Sequence, residues 1–209
     1  MIGRGAGPER RERIRSKVEE KLRPLTLPNF ITLFRMAITP FFVLAVNDRD
    51  FRLALWILIV GGITDAVDGW LARSLHSRSV VGEFLDPIAD KLLVAAAIVV
   101  MTALGHISGW TVLAGVVILC REILVSGLRE FLAELRVGVP VSMLAKWKTT
   151  VQMVALGFLI LGDAGPAAIP VRLIGEIGFW IAAILTLVTG YDYLVTGLRH
   201  MQSEGQGLR

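Results

Sequence analysis

The chain has 209 residues, a length that fits one soluble domain or a small set of membrane-spanning helices. Its composition favours the second class, because hydrophobic residues make up 54% and charged residues only 19%, with a mean hydropathy of +0.64. These values exclude a disordered chain and a collagen-like repeat, and the single cysteine excludes a disulfide framework. The net charge of +4 is concentrated near the N-terminus.

Residues 1–26 form a charged segment ahead of the first apolar stretch. Residues 1–23 hold eight Lys and Arg and four Glu, and Ile14, Val18 and Leu22 recur every four residues among them. This pattern fits a helix that lies on the membrane with its basic face toward anionic lipid heads. It equally fits a solvated disordered arm, because the apolar stripe is narrow. We predict a basic juxtamembrane leader, amphipathic or disordered, and no signal peptide.

Six apolar stretches follow the leader. The hydrocarbon core of a bilayer needs about 20 mostly apolar residues per helix. The stretches that meet this need are Phe30–Val46, Leu53–Leu71, Ile88–Leu104, Trp110–Leu132, Leu144–Leu161 and Leu173–Leu198. We predict an all-α, integral membrane bundle of six transmembrane helices over residues 27–200, followed by a tail over 201–209.

The distribution of Lys and Arg predicts the orientation of this bundle. With the N-terminus in the cytosol, sixteen of these residues lie in cytosolic segments, whereas only Arg49, Arg52 and Arg172 lie outside. Cytosolic segments of membrane proteins carry such an excess of positive charge. Both termini are therefore expected in the cytosol, with the protein in the cell (inner) membrane.

Two pairs of acids lie at the cytosolic ends of the second and third predicted spans. Asp65 and Asp68 are three residues apart, and Asp86 and Asp90 are four apart, so each pair shares one helix face. A charge at membrane depth costs roughly 2.5–3.5 kcal/mol and usually marks function. Four carboxylates in a low dielectric repel one another unless they are protonated or bind a cation. Oxygen ligands of this kind suit Mg²⁺ or Mn²⁺.

Simpler interpretations exist for single members of this set. Asp86 precedes Pro87, which fits a helix N-cap with proline in the first turn. Asp65 fits a buried carboxylate that is neutralised by Arg73. Neither interpretation explains all four acids, so the set favours a divalent-metal site.

The acid-containing segment reads Asp65-x2-Asp68-Gly69-x2-Ala72-Arg73-x8-Gly82-x3-Asp86-x3-Asp90. At every fixed position, this pattern resembles the signature of the CDP-alcohol phosphotransferases. These are integral membrane enzymes of phospholipid synthesis. Further segments resemble the members of that family that use glycerol 3-phosphate as acceptor. These segments are Leu27–Arg35, Leu85–Lys91, Arg121–Ile123, Leu128–Glu130 and Lys146–Thr150.

The resemblance implies a reaction and a set of residues. The glycerol 3-phosphate hydroxyl attacks the lipid-linked phosphorus of CDP-diacylglycerol and expels CMP at the cytosolic leaflet. Two Mg²⁺ or Mn²⁺ ions per site are implied, held by Asp65, Asp68, Asp86 and Asp90, and Asp90 is also the implied general base. The implied contacts to CDP-diacylglycerol come from Asn29, Thr32, Asp68, Gly69, Ala72, Arg73 and Gly82.

The acceptor carries a phosphate of its own, which the acids would repel, so cations must receive it. The basic residues at suitable depth are Arg121, Arg129, Lys146 and Lys148. Each has an alternative interpretation. The two arginines can pair with Glu122 and Glu130, and the two lysines can extend to lipid head groups.

The resemblance also implies a homodimer, while no nucleic-acid partner is expected. Gly61, Gly62 and Gly157 permit close helix packing, either within or between subunits. Two alternatives stay open. The first is another acceptor within the family, as in cardiolipin synthase or phosphatidylinositol phosphate synthase. The second is a divalent-cation transporter, although the chain has no internal repeat and its acids lie on one side.

Overall fold

The computed structural model describes residues 27–75, 80–134, 143–165 and 168–207, in which helices are joined by short turns and there is no strand. The helices are α1 (Leu27–Asn47), α2 (Phe51–Leu75), α3 (Val80–Ala103), α4 (Thr111–Glu134), α5 (Met143–Leu161) and α6 (Val171–Gly207), with a short 3-10 turn at Gly162–Ala164. The predicted all-α class is confirmed over this part of the chain. The predicted leader, residues 1–26, lies outside the described residues.

Each predicted apolar stretch corresponds to one helix, and the two large differences are at the start of α3 and the end of α6. This helix begins at Val80, so Pro87 lies inside it and Asp86 does not cap its N-terminus. The interpretation of Asp86 as an N-cap is therefore wrong. Proline usually ends a helix, but membrane helices tolerate it where neighbouring groups satisfy the freed backbone carbonyl. At the other end of the chain, α6 continues to Gly207, through most of the predicted tail.

Three helices are long and apolar enough to cross a membrane over the described residues. The stretches are Asn29–Asn47, Thr111–Leu132 and Val171–Val195, and a shorter apolar stretch covers Trp147–Leu161. Three of the six predicted spans thus meet this criterion. In α3 the charged residues Asp86, Asp90 and Lys91 lie in the first half of the helix and shorten its apolar part. Large apolar side chains such as Trp110, 83% exposed, cover the outer surface, as in a protein surrounded by lipid.

The helices pack in two groups. α1 packs against α2 and α3, α6 packs against α4 and α5, and α2 and α5 join the groups. Glycines allow several of these contacts, since a Cβ placed on Gly61 would lie 2.4 Å from Leu93 Cδ2, and one on Gly157 would lie 3.3 Å from Leu55 Cδ1. Gly62 likewise lies against Met153. All three glycines therefore take part in packing within one chain.

The apolar core occupies one half of the bundle. In α1 the buried face is polar near the start, at Asn29, Thr32 and Arg35, and apolar near the end, at Phe42 and Val46. Many other buried apolar residues lie on the same half as Phe42, including Leu58, Met101, Ile118, Leu159 and Phe179. The buried polar face of α1 lies toward the opposite half, where α1 begins and α2 ends.

Candidate active site

A polar face of α1 forms the centre of the first part of the site. Asn29, Thr32 and Arg35 recur every three residues, so they lie on one side of the helix. All three are buried, with Thr32 at 0% and Arg35 at 2% exposure. A buried cation in an apolar bundle is costly unless an acid neutralises it. The position of Arg35 therefore requires an acidic partner on a neighbouring helix.

That partner is Asp65 of α2. Nη1 of Arg35 donates a hydrogen bond to Oδ1 of Asp65 and forms an ion pair with it. The Asp65 side chain is 48% exposed, so it stays accessible from outside the bundle while it contacts α1. Asp65 thus has a cationic partner other than the predicted Arg73. Its pairing with Arg73 stays a prediction, because the Arg73 side chain lies outside the described part of the structure.

The second acid pair meets the same helix. Oγ1 of Thr32 donates a hydrogen bond to Oδ1 of Asp86 at 2.6 Å. Asp86 is partly buried in α3, and Gly82, one turn earlier, is buried. One acid from each predicted pair thus contacts α1. The α1 residues that they contact, Thr32 and Arg35, lie one turn apart.

Helix register brings the two acid pairs to one level. α2 and α3 are antiparallel and touch where Gly61 lies against Leu93. Asp65 follows Gly61 by one turn, and Ala89 precedes Leu93 by one turn, so Asp65 and Ala89 lie level with each other. Ala89 stands between Asp86 and Asp90 in α3. The predicted equal depth of the two pairs therefore agrees with the backbone register.

For several predicted site residues, the structure describes only the helix backbone. These are Asp68, Gly69, Ala72, Arg73, Asp90 and Lys146. Among the described residues there is no group of three or more His, Cys, Asp or Glu that could hold a metal ion. Since only Asp65 and Asp86 of the four acids have described side chains, the predicted four-acid metal site stays a prediction.

A second polar cluster joins α4, α5 and α6. Glu122 of α4 accepts hydrogen bonds from Arg121 at 3.4 Å and from Nζ of Lys148 on α5. Arg121 also reaches α6, where Nε donates to the backbone oxygen of Thr186 at 3.0 Å and Nη2 donates to Oγ1 of Thr189 at 2.8 Å. Two predicted acceptor-binding cations are thus brought together on one carboxylate.

The other two predicted acceptor-binding cations have different positions. Arg129 is exposed on α4, two turns beyond Arg121. Lys146 is one of the residues whose side chain is not described. The structure therefore brings together Arg121 and Lys148, while acceptor binding by Arg129 and Lys146 stays a prediction.

The two polar clusters lie at similar height in the bundle. α2 and α5 are antiparallel, because Gly62 lies against Met153 and Leu55 lies against Gly157. Following both helices from the first contact places Lys148 within about one turn of Asp65 in height. The acids of α2 and α3 and the cations of α4 and α5 therefore share one end of the bundle.

Sequence reasoning missed some of these polar residues. The sequence-based prediction assigns no role to Arg35, although its spacing from Asn29 and Thr32 indicates a shared polar face. Thr186 and Thr189 gave no usable signal, because threonine is common in apolar helices and bonds to its own backbone there. Thr189 does so with Leu185 at 2.8 Å.

Comparison with known proteins gives a consistent family. The CDP-alcohol phosphatidyltransferase family matches the chain over residues 25–188. A protein of Rickettsia felis is 44% identical over 170 residues, covering 80% of this chain and 92% of the relative. A protein of Shigella flexneri serotype 5b is 44% identical over 174 residues, again with 80% and 92% covered. A protein of Cereibacter sphaeroides is 36% identical over 220 residues, with 86% and 98% covered.

All three relatives carry the name CDP-diacylglycerol–glycerol-3-phosphate 3-phosphatidyltransferase. The family match covers α1 to α5 and about the first half of α6. It includes the acids of the first polar cluster and Arg121, Glu122 and Lys148 of the second. The apolar helices agree with a membrane-embedded member of such a family. This chain therefore belongs to the CDP-alcohol phosphatidyltransferase family.

Proposed function

We propose that this enzyme transfers the phosphatidyl group of CDP-diacylglycerol to glycerol 3-phosphate, which makes it a phosphatidylglycerophosphate synthase. The products are phosphatidylglycerol phosphate and CMP. The observation that carries the proposal is the occurrence of the family's acid pattern at a similar height to two cations that share Glu122, the partly buried Arg121 and the buried Lys148. An acceptor that brings its own phosphate needs such cations beside an acidic site.

The reaction exchanges one phosphate ester for another. The acceptor hydroxyl oxygen forms a bond to the lipid-linked phosphorus, and the bond from that phosphorus to the oxygen of CMP breaks. The hydroxyl proton goes to a base, and we assign this role to Asp90 by its place in the family pattern. The electron pair of the broken bond leaves with CMP.

The donor set fits a divalent metal. The ligands would be Asp65, Asp68, Asp86 and Asp90, which offer only hard carboxylate oxygens. Asp65 is half exposed and Asp86 partly exposed, so both are accessible to an ion from outside the bundle. Two bound Mg²⁺ or Mn²⁺ ions would supply charge stabilisation at the attacked phosphoryl group and at the leaving oxygen.

The chain's own residues would orient the two substrates. Asn29 and Gly82 are buried at the level of the acids, and we assign them to CDP-diacylglycerol together with Thr32, Asp68, Gly69, Ala72 and Arg73. Arg121 and Lys148 would receive the acceptor phosphate. Arginine can donate two parallel hydrogen bonds to phosphate oxygens, whereas lysine acts as a point charge. The apolar half of the bundle keeps water away from the reaction on the opposite side.

We further propose six membrane spans with both termini in the cytosol, so that the site opens at the cytosolic leaflet of the cell membrane. The excess of Lys and Arg in the segments assigned to the cytosol supports this orientation. Assembly as a homodimer is proposed from the family resemblance.

The function is tested by CMP release from purified protein with CDP-diacylglycerol and Mg²⁺. Three acceptors are compared: glycerol 3-phosphate, phosphatidylglycerol and inositol phosphate. We expect CMP only with glycerol 3-phosphate, loss of release with EDTA, and no release by folded D90N. Release with one of the other acceptors would assign a different member of the family. Metal flux into vesicles without CMP release would instead indicate a cation transporter.

A further inference from the structure

One oxygen of each described acid is engaged by α1. Oδ1 of Asp65 accepts from Arg35, and Oδ1 of Asp86 accepts from Thr32 at 2.6 Å. The two donors are on one face of α1, one turn apart, and both are buried. α1 therefore holds one carboxylate from α2 and one from α3 by the same kind of contact.

We propose that Thr32 and Arg35 are positioning residues of the metal centre. By holding Oδ1 of Asp86 and of Asp65, they fix the orientation of each carboxylate, so that the other oxygen of each would be available to a metal ion. This inference rests on the proposed function and deepens its metal site. Groups that hydrogen-bond to a metal ligand fix its orientation, and their loss typically weakens metal binding 10- to 100-fold.

This role differs from the contact to CDP-diacylglycerol that the family resemblance implies for Thr32. The Thr32 side chain is fully buried, and its hydroxyl donates to Asp86. A threonine hydroxyl has one proton to donate, and here the Asp86 carboxylate accepts it, while the hydroxyl oxygen can still accept a hydrogen bond. Thr32 thus acts as a positioning residue through Asp86, in addition to the contact to CDP-diacylglycerol proposed above.

Arg35 differs from Thr32 because it is a buried charge. Its guanidinium is 2% exposed, and an arginine stays charged inside a protein. Burial of such a charge is tolerated when an acid and further hydrogen bonds satisfy it. The ion pair with Asp65 therefore holds both side chains in place before any metal ion binds.

The test measures Mn²⁺ binding alone, with detergent-purified full-length protein and no substrate, from the electron paramagnetic resonance signal of free Mn²⁺. T32V keeps the shape of the side chain and removes the hydroxyl, whereas T32S keeps the hydroxyl and removes a methyl group. T39V is the matched control. Thr39 is buried on the same helix, about two turns further along, and its hydroxyl bonds only to the backbone oxygen of Arg35, at 3.1 Å, in the contacts described.

We expect T32V to raise the Mn²⁺ dissociation constant by about 10- to 100-fold, whereas T32S and T39V keep the wild-type value. Wild-type binding by T32V would overturn the positioning role. An equal loss in T32S would also overturn it, because the hydroxyl would then not be the group that matters. Thermal unfolding of all three variants shows that each protein is folded during the measurement.

R35Q tests Arg35, because the two possible roles of this residue predict opposite changes in Mn²⁺ affinity. If Arg35 only balanced negative charge, its removal would make Mn²⁺ binding tighter, because the acids would attract the ion more strongly. If Arg35 positions Asp65, its removal makes binding weaker. We expect weaker binding, and tighter binding would overturn the assignment of Arg35.

A D65N variant separates loss of the positioning role from absence of the proposed metal centre. D65N is measured beside the wild type. Wild-type binding that D65N removes supports the metal centre, and the Thr32 variants then decide the role of α1. A wild-type protein that binds no Mn²⁺ at a site sensitive to D65N would overturn the metal centre itself, and the positioning role with it.

Discussion

Buried charges define the site at the scale of single residues. Arg35 and Lys148 are both almost completely buried, and each contacts an acid on a neighbouring helix, Asp65 and Glu122 respectively. Removing one partner of a buried ion pair typically costs about 3–5 kcal/mol, because the other charge is left unpaired. These pairs therefore fix which helices can be neighbours. They also hold charged groups at an otherwise apolar depth.

The acceptor site is tested by R121A. We expect a KM for glycerol 3-phosphate about 10- to 100-fold higher, since hydrogen bonds to charged groups contribute about 1.5–3 kcal/mol, and an unchanged KM for CDP-diacylglycerol. The measurement is CMP release with each substrate varied in turn.

R129A is compared with this variant, because Arg129 is the exposed predicted acceptor cation of the same helix. A smaller rise of the acceptor KM is expected there, since water screens an exposed charge. An equal rise of both KM values in R121A would contradict acceptor binding and indicate that Arg121 only joins α4 to α6. An equally high acceptor KM in R129A would add the exposed arginine to the site.

At the scale of helices, glycines set how closely α5 and α6 approach. A Cβ placed on Gly175 would lie 2.9 Å from the backbone nitrogen of Leu159, whereas one on Gly127 of α4 would meet nothing within 4 Å. A flexible side chain can move away from such a contact, but a helix backbone cannot do so without shifting the whole helix. Gly175 is therefore a position where α6 contacts α5 through its backbone.

We expect G175A to lower the melting temperature of the purified protein, because overpacking of a well-packed interior costs about 1–3 kcal/mol. G127A is the control and should leave the melting temperature unchanged or raise it slightly, since alanine favours a helix over glycine by about 1 kcal/mol. Differential scanning fluorimetry in detergent measures both. Equal melting temperatures for the two variants would contradict the close approach at Gly175.

At the scale of the whole molecule, the orientation in the membrane decides where the substrates enter. The proposed six spans place residue 48 outside and residue 206 in the cytosol. We expect D48C to react with a membrane-impermeant maleimide in intact cells, and Q206C to react only after permeabilisation. Both are made in a C120A background, because Cys120 is exposed on α4. Labelling of Q206C in intact cells would contradict the orientation.

The sequence by itself determined much of this protein, for physical reasons. Apolar stretches long enough for a bilayer predict the helices, since an unpaired backbone is not tolerated in lipid. Spacings of three and four residues put each acid pair on one helix face. The family pattern is also local in sequence, because its residues lie on two consecutive helices. The start of α3 was missed because Pro87 lies inside a helix, where proline is normally excluded.

Only the tertiary structure decided which residues contact one another. Nothing in the spacing of Arg35 indicates that it pairs with Asp65, thirty residues away, or that Arg121 and Lys148 share Glu122 across two helices. Such contacts depend on helix register and rotation, which are set by packing at positions such as Gly61 and Leu93. A pattern within one helix specifies a face, whereas the partner of that face is chosen by how all the helices fit together.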